Sequence, residues 1–264
     1  YADRSDRTVH IGLLRDGEIT ALPGVTAMAD LLGRPVDDIR AVVAEATPGG
    51  LSQRDVVLLP PLDGRMELWA AGVTYRRSMD ARVAESAEKT VYEKVYDAPR
   101  PELFFKSVAW RVVTSGEPVA VRADSGLDVP EPELAVVANA LGEIVGFAVC
   151  NDMSSRAIEG ENPLYLPQAK MYAGSAAVSA GIRPAWEVPD PASLAITLTI
   201  RRGETITWRG ETSTGHMRRT FAELLSFLFL GESFPDGVVL ATGTGVVPDM
   251  DFTLRPGDRV DIDV

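Results

Sequence analysis

The stretch that decides the fold runs Pro130-Glu131-Pro132-Glu133-Leu134-Ala135-Val136-Val137, then Asn139-Ala140-Leu141-Gly142-Glu143, then Ile144-Val145-Gly146-Phe147-Ala148-Val149-Cys150-Asn151-Asp152. Two apolar, β-branched runs joined by a segment containing glycine form the pattern of a hairpin. A two-residue Gly142-Glu143 turn would set Glu133 opposite Asp152. Glu131 precedes Glu133 by two positions, and side chains at i and i+2 of a strand share a face. Three carboxylates would then converge on one patch at one end of the hairpin. A slip of one residue would separate them, because it turns every side chain of one strand to the other face.

Like charges opposed on a sheet repel and raise one another's pKa values. A divalent cation resolves that conflict. Oxygen-only ligands with no Cys or His among them favour a hard ion, Mg²⁺, Mn²⁺ or Ca²⁺, over Zn²⁺. A structural calcium site and a solvated acidic sheet edge are the other readings of the same spacing.

Working outward, the 264 residues are 45% hydrophobic and 24% charged, enough for a substantial core in one large domain or two unequal ones. Lys and Arg number 26 against 38 Asp and Glu, a formal charge of −12. That balance argues against nucleic acid or an anionic membrane as the main partner, since both demand a basic footprint. The single cysteine, Cys150, excludes an intrachain disulfide and any Cys-rich metal site. No apolar run approaches the roughly 18 residues that span a bilayer, and no signal-peptide pattern opens the chain. The expected location is the cytoplasm.

Residues 10–14 and 19–22 are short apolar runs flanking Arg15-Asp16-Gly17-Glu18, a hairpin signal, and two helices are expected over 25–32 and 36–45. Residues 1–65 therefore read as a small N-terminal α/β cap. Residues 66–264 read as a larger sheet domain, with a strand over 67–73, a long surface helix over 75–96 and many short β runs, among them 103–105, 119–121, 194–200 and 238–240. The one convincing later helix starts at Thr220-Phe221-Ala222-Glu223, which has capping-box form, with Phe221, Leu224, Leu225 and Leu228 on one face. The expected class is β-rich α+β.

Glu131-Pro132-Glu133-Leu134 followed by Gly146-Phe147 and Asn151-Asp152-Met153-Ser154-Ser155-Arg156 resembles the signature of the fumarylacetoacetate hydrolase family. The likeness extends from about Leu68 to Pro248 and takes in Phe104-Phe105-Lys106, Pro167-Gln168-Ala169-Lys170 and Thr242-Gly243-Thr244-Gly245. It implies a mixed β-sheet roll, usually in a homodimer, with Glu131, Glu133 and Asp152 holding Mg²⁺ or a related ion. The family's carbon–carbon hydrolases carry a water-activating His shortly after a strand. Here Gly72-Val73-Thr74-Tyr75-Arg76-Arg77-Ser78 puts Ser78 at that place, and the only histidines, His10 and His216, read as structural or surface residues.

The run from Tyr92 to Lys106, and Glu161-Asn162-Pro163-Leu164-Tyr165-Leu166-Pro167-Gln168, are most similar to the family's 2-keto-3-deoxy-D-arabinonate dehydratase branch. That branch implies elimination of water from a small 2-oxo sugar acid chelated to the metal, with Glu102 as an acid/base group and Lys170 as the site lysine. Substrate contacts are expected from Arg156, Thr244, Gly243, Tyr75 and Lys106. Thr242-Gly243-Thr244-Gly245 also lies between apolar runs, where its N–H groups and hydroxyls can face a carboxylate. An acylpyruvate- or fumarylpyruvate-type hydrolase, a 2-oxo acid decarboxylase or isomerase, and a scaffold with a vestigial metal site are the alternatives.

Overall fold

The computed structural model describes residues 1–46, 50–85 and 94–264. A first sheet joins β1 (Gly12–Arg15), β2 (Glu18–Ala21) and β3 (Leu51–Ser52), with Asp16 and Gly17 at positive φ in the expected tight turn. Between β2 and β3 lie α1 (Met28–Leu32) and α2 (Val36–Glu45).

The main sheet contains β4 (Glu67–Gly72), β5 (Glu102–Val108), β6 (Pro132–Ala138), β7 (Ile144–Asp152), β8 (Ala176–Val178) and β9 (Arg183–Pro184), with one later strand inserted among them. β10 (Ala195–Arg202) and β11 (Thr205–Ser213) follow, then β12 (Val238–Ala241) and β13 (Asp258–Asp263). The main sheet runs β8-β7-β6-β12-β4-β5, with β9 also on β7, and β11-β10-β13 form a separate sheet. β12 is parallel to β4 and antiparallel to β6, so the sheet is mixed. The β-rich α+β roll expected from the sequence is the fold observed.

β6 is buried along its whole length, which is why it reads as an unbroken apolar run. One face of the main sheet, through Ala135, Val137, Cys150 and Val239, packs on Met28, Leu32 and Ile39 of α1 and α2. The other face, through Leu134, Val136, Phe147 and Leu240, packs on Leu224, Leu225 and Leu228 of a C-terminal helix, Phe221–Leu228. Thr220 caps that helix as expected, its hydroxyl accepting from Glu223 N at 3.1 Å. Among the described residues no helix is long and apolar enough to cross a membrane.

The central hairpin forms, but not in the expected register. Its turn is Asn139–Glu143, closed by Asn139 N donating to Glu143 O at 3.0 Å, so Ala138 faces Ile144. That longer turn alone would carry Asp152 to the face opposite Glu133. A bulge at Val145 adds one residue to β7, after which Val137 pairs with Gly146 and Glu133 with Cys150. Two odd shifts restore the parity. Asp152 thus stands opposite Glu131, donating its N–H to Glu131 O at 2.9 Å, and the three acids keep one face.

Other departures are local. The helix expected over 75–96 is helical over Arg76–Glu85 (α3) and again at 94–97, while 86–93 lie outside the described residues. Residues 119–121 form no strand. Two short helices went unread, α4 (Arg156–Glu161) and α5 (Leu166–Lys170), each too short for an apolar stripe to register.

Candidate metal centre and active site

At one end of the main sheet β4 and β12 finish, β6 begins and β7 finishes, and this convergence builds the site. Glu131, Glu133 and Asp152 are each at most 3% exposed, and ligand oxygens from all three lie within 4.8 Å of one another. Among the described residues this is the one group of Cys, His, Asp or Glu side chains spaced to hold a metal ion. The donors are hard anionic oxygens, the set that Mg²⁺ prefers. Burial together with Asp152 and Glu131 pushes the Glu133 carboxyl well above its usual range, because the buried cations pair with Glu131 and Asp152 and no ion pair reaches Glu133 among the described residues. A dication fits that shortfall.

Backbone geometry holds Glu133 in place. Gly243, at φ 93°, donates its N–H to Glu133 Oε2 at 2.6 Å. A side chain there would collide with the Thr74 hydroxyl and stand 2.9 Å from Ala71 O, so only glycine can make this approach. Thr74 Oγ1 donates to Thr242 O at 2.7 Å, and Arg218 N donates to Thr74 O at 2.8 Å. These bonds pin Val73, a β-branched residue at φ 52°, in a strained conformation at the cavity wall.

Lys170 comes from the end of α5. Its Nζ donates to Glu131 Oε2 at 2.7 Å, to Asp152 Oδ2 at 3.1 Å and to Ser154 Oγ at 2.5 Å. Burial opposes its charge, but Asp152 and Glu131 together outweigh burial and raise its pKa. Lys170 is therefore a fixed cation with its three protons in use, which disfavours it as a base or a Schiff-base nucleophile. Arg82 of α3 donates to Glu131 Oε1 at 3.3 Å and pairs with Glu159 of α4. Burial tends to raise the Glu131 pKa, yet Lys170, Arg82 and Arg156 bring it down to about 2.

Glu102 opens β5 and pairs across the strands with Gly72, the last residue of β4. Its carboxylate faces the cavity and accepts no hydrogen bond from a described residue. Burial raises its pKa, against the opposing pull of Arg82 and Lys170.

Glu131, Glu133, Asp152, Glu102, Lys170, Gly243 and Thr244 all line this one cavity. Thr244 turns its hydroxyl to Val246 O at 2.9 Å. Tyr75, Lys106 and Arg156 are not among the lining residues. Lys106 Nζ stands 2.5 Å from Asp152 Oδ1 and donates to Met153 O and Lys170 O, so it braces a ligand carboxylate from behind. Arg156 donates to Pro248 O at 3.0 Å. Tyr75 is 1% exposed, and its buried hydroxyl has no partner among the described residues. Neither His10 nor His216 reaches the cavity, whereas Ser78 lines it.

Sequence reasoning passed over Gly72, Arg82 and Glu159 at this wall. Ser78 and Arg82 stand at i and i+4 of α3 and so share its inward face. That helix carries its larger apolar residues, Met79 and Val83, away from Ser78 and Arg82, so no apolar stripe marks the Ser78–Arg82 side as buried. The one available signal for the inward side was the position of Ser78.

The fumarylacetoacetate (FAA) hydrolase C-terminal family profile matches residues 68–264. A Saccharolobus solfataricus protein named 2-dehydro-3-deoxy-D-arabinonate dehydratase is 39% identical over 255 residues, covering 95% of this chain and 84% of that protein. A Haloferax volcanii protein named "Probable 2-keto-3-deoxyxylonate dehydratase" is 39% identical over 262 residues, 98% of this chain and 89% of the relative. Among solved structures, 2-keto-3-deoxy-D-arabinonate dehydratase complexed with magnesium and 2,5-dioxopentanoate superposes with a TM-score of 0.82 at 38% identity, covering 95% of this chain and 89% of that one.

Proposed function

The chain belongs to the fumarylacetoacetate hydrolase family, and on that premise we propose that it dehydrates a 2-keto-3-deoxy sugar acid. The expected substrate is 2-keto-3-deoxy-D-arabinonate, giving 2-oxoglutarate semialdehyde (2,5-dioxopentanoate) and water. The observation that carries this reading is the cavity itself: three buried acids, Glu102 facing them, and no imidazole among the lining residues. Hydrolysis of a carbon–carbon bond needs a base to activate water, and His is the usual one in this family's hydrolases. Elimination needs a group that takes a proton from C3 and one that supplies a proton at C4.

Glu131, Glu133 and Asp152 would hold the Mg²⁺. When bound, Mg²⁺ polarises the 2-oxo group of the substrate, which acidifies C3. Glu102 takes the C3 proton, and its burial makes it a stronger base than an exposed carboxylate. The C4–O bond then breaks, and the same carboxyl returns its proton to the departing hydroxyl as water. The resulting 5-hydroxy-2-oxo-3-ene acid tautomerises, losing a proton from C5 and gaining one at C3, to an enol that becomes the C5 aldehyde. Lys170 stays charged and opposes the negative charge that builds on the substrate. Thr244 lines the same cavity, and its N–H would receive the substrate carboxylate, since the Gly243 N–H is given to Glu133 and the Thr244 hydroxyl to Val246 O.

The test is a panel of 2-keto-3-deoxy-pentonates, 2-keto-3-deoxy-hexonates and acylpyruvates supplied with Mg²⁺, with products identified by mass. Loss of one water from a pentonate is expected. Cleavage of an acylpyruvate into two acids, with the pentonates untouched, would replace the dehydratase reading with a hydrolase one.

We further propose a homo-oligomer, the state that membership of this family implies. Sedimentation equilibrium is expected to give at least twice the mass of one chain; the mass of one chain would overturn this. The division into a cap of residues 1–65 and a catalytic unit of residues 66–264, and residence in the cytoplasm, belong to the same reading. Limited proteolysis that cuts first inside either unit would count against the division, and recovery outside the cytoplasmic fraction against the location.

A further inference from the structure

We propose that Gly72 is a positioning residue for Glu102: the missing side chain at the end of β4 is the recess in which the Glu102 carboxylate rests. This rests on the reading of Glu102 as the proton-transfer group. Gly72 and Glu102 are direct cross-strand partners, so their side chains leave the same face about 5 Å apart. A methyl group built on Gly72 would overlap Glu102 Oε2 and stand 2.5 Å from Cδ and 3.1 Å from Oε1. The carboxylate therefore occupies the volume that any other residue at position 72 would fill.

Among the described residues nothing else locates that carboxylate so closely. Each metal-site acid is fixed by a directed contact: Glu131 by Lys170 and Arg82, Glu133 by Gly243 N–H, Asp152 by Lys106 and Lys170. Glu102 accepts no hydrogen bond from a described residue, and Arg82 and Lys170 act on it through their charge. Its placement is a matter of shape. Gly72 itself is held, since it pairs with β5, β4 is paired on both sides as far as Ala70, and Thr74, two residues on, is tied to Thr242 and Arg218. A proton-transfer group free of strong hydrogen bonds keeps its basicity, while the recess keeps it aimed.

The inference predicts a specific fault in Gly72→Ala. The clash is with the tip of a flexible side chain, so the fold accommodates it by swinging Glu102 out of the recess. With Mg²⁺ and the dehydratable substrate, kcat is expected to fall by about 100-fold while KM and Mg²⁺ affinity stay within about twofold, the scale of loss that a misplacement near 1 Å produces. In the Glu102→Ala background the same Gly72→Ala change should cost no further kcat, because the group it displaces is gone. A glycine needed only for the fold would cost the same factor in both backgrounds, and that result overturns the proposal, as does Gly72→Ala with wild-type kcat. A crystal structure of Gly72→Ala reads the displacement directly: Glu102 out of the recess supports the inference, and Glu102 unmoved sinks it, whatever the substrate proves to be. If the unmodified protein dehydrates nothing in the panel, the dehydratase reading fails while this crystallographic arm still decides. Should Gly72→Ala not fold, folding of the Gly72→Ala/Glu102→Ala pair supports the steric account, and persistence of the defect refutes it.

Discussion

Glu102→Gln is expected to lower kcat by about 10³-fold, in the middle of the range for loss of a positioned acid/base group, with Mg²⁺ binding unchanged. Gln keeps the shape and size that fill the recess over Gly72, so the cavity should not rearrange. What it removes is the capacity to take a proton. Burial raises the pKa of Glu102, which means that the ionised form is costly in the fold and the neutral amide is not. The variant should therefore be at least as stable as the parent at neutral pH, and its loss of rate cannot be assigned to unfolding. The sign of the pH effect follows from the same shift: activity needs the ionised carboxylate, so kcat should climb with pH through a range above that of an ordinary glutamate. Glu102→Gln should lose that limb along with the rate. Steady-state kinetics across pH, with melting curves taken in parallel, make the check. Turnover within tenfold of the parent would remove Glu102 from proton transfer and leave Lys170, already committed to Glu131, Asp152 and Ser154, as a poor replacement.

Much of this site could be read before any coordinates, and the reason is physical. Carboxylates in an apolar strand are costly, so Glu131, Glu133 and Asp152 stand out against Leu134–Val137 and Phe147–Val149 without any help from a structure. The register was less legible. A two-residue turn and a five-residue turn followed by a bulge place the same acids on the same face, and periodicity cannot separate them. Only Asn139, whose Oδ1 accepts from Leu141 N and Glu143 N, marks the longer turn, and its side chain is one polar group among several. The helices that deliver Lys170, Arg156 and Glu159 were invisible for a different reason. They are five and six residues long, and buried charges anchor them in place of an apolar stripe. Gly72 was least legible of all. A glycine ending a strand has many ordinary causes, and what singles this one out is the side chain on the neighbouring strand.

Glu133→Gln should act on the metal and leave the fold intact. In the protein without metal, Glu133 carries the heaviest share of the cluster's repulsion: burial, Asp152 and Glu131 all work against its charge and outweigh Lys170 and the Gly243 N–H, which favour it. Replacing it with a neutral isostere relieves that repulsion, so the metal-free variant should melt no lower than the metal-free parent. Adding Mg²⁺ reverses the comparison. A ligand that binds only the native state at 100 times its Kd stabilises by about 2.7 kcal/mol, and the parent should show a rise in Tm of that origin. The variant, with one anionic donor of three converted to an amide, should show little or none at the same Mg²⁺ concentration, and turnover should fall with it. The two effects have opposite signs, which distinguishes a lost ligand from a damaged core: damage lowers both melting points, and loss of a ligand lowers only the one with metal. Titration calorimetry supplies the direct reading. A Glu133→Gln protein that still binds Mg²⁺ with the parent's affinity would strip Glu133 of its ligand role and leave the raised carboxyl in the middle of the site without an explanation.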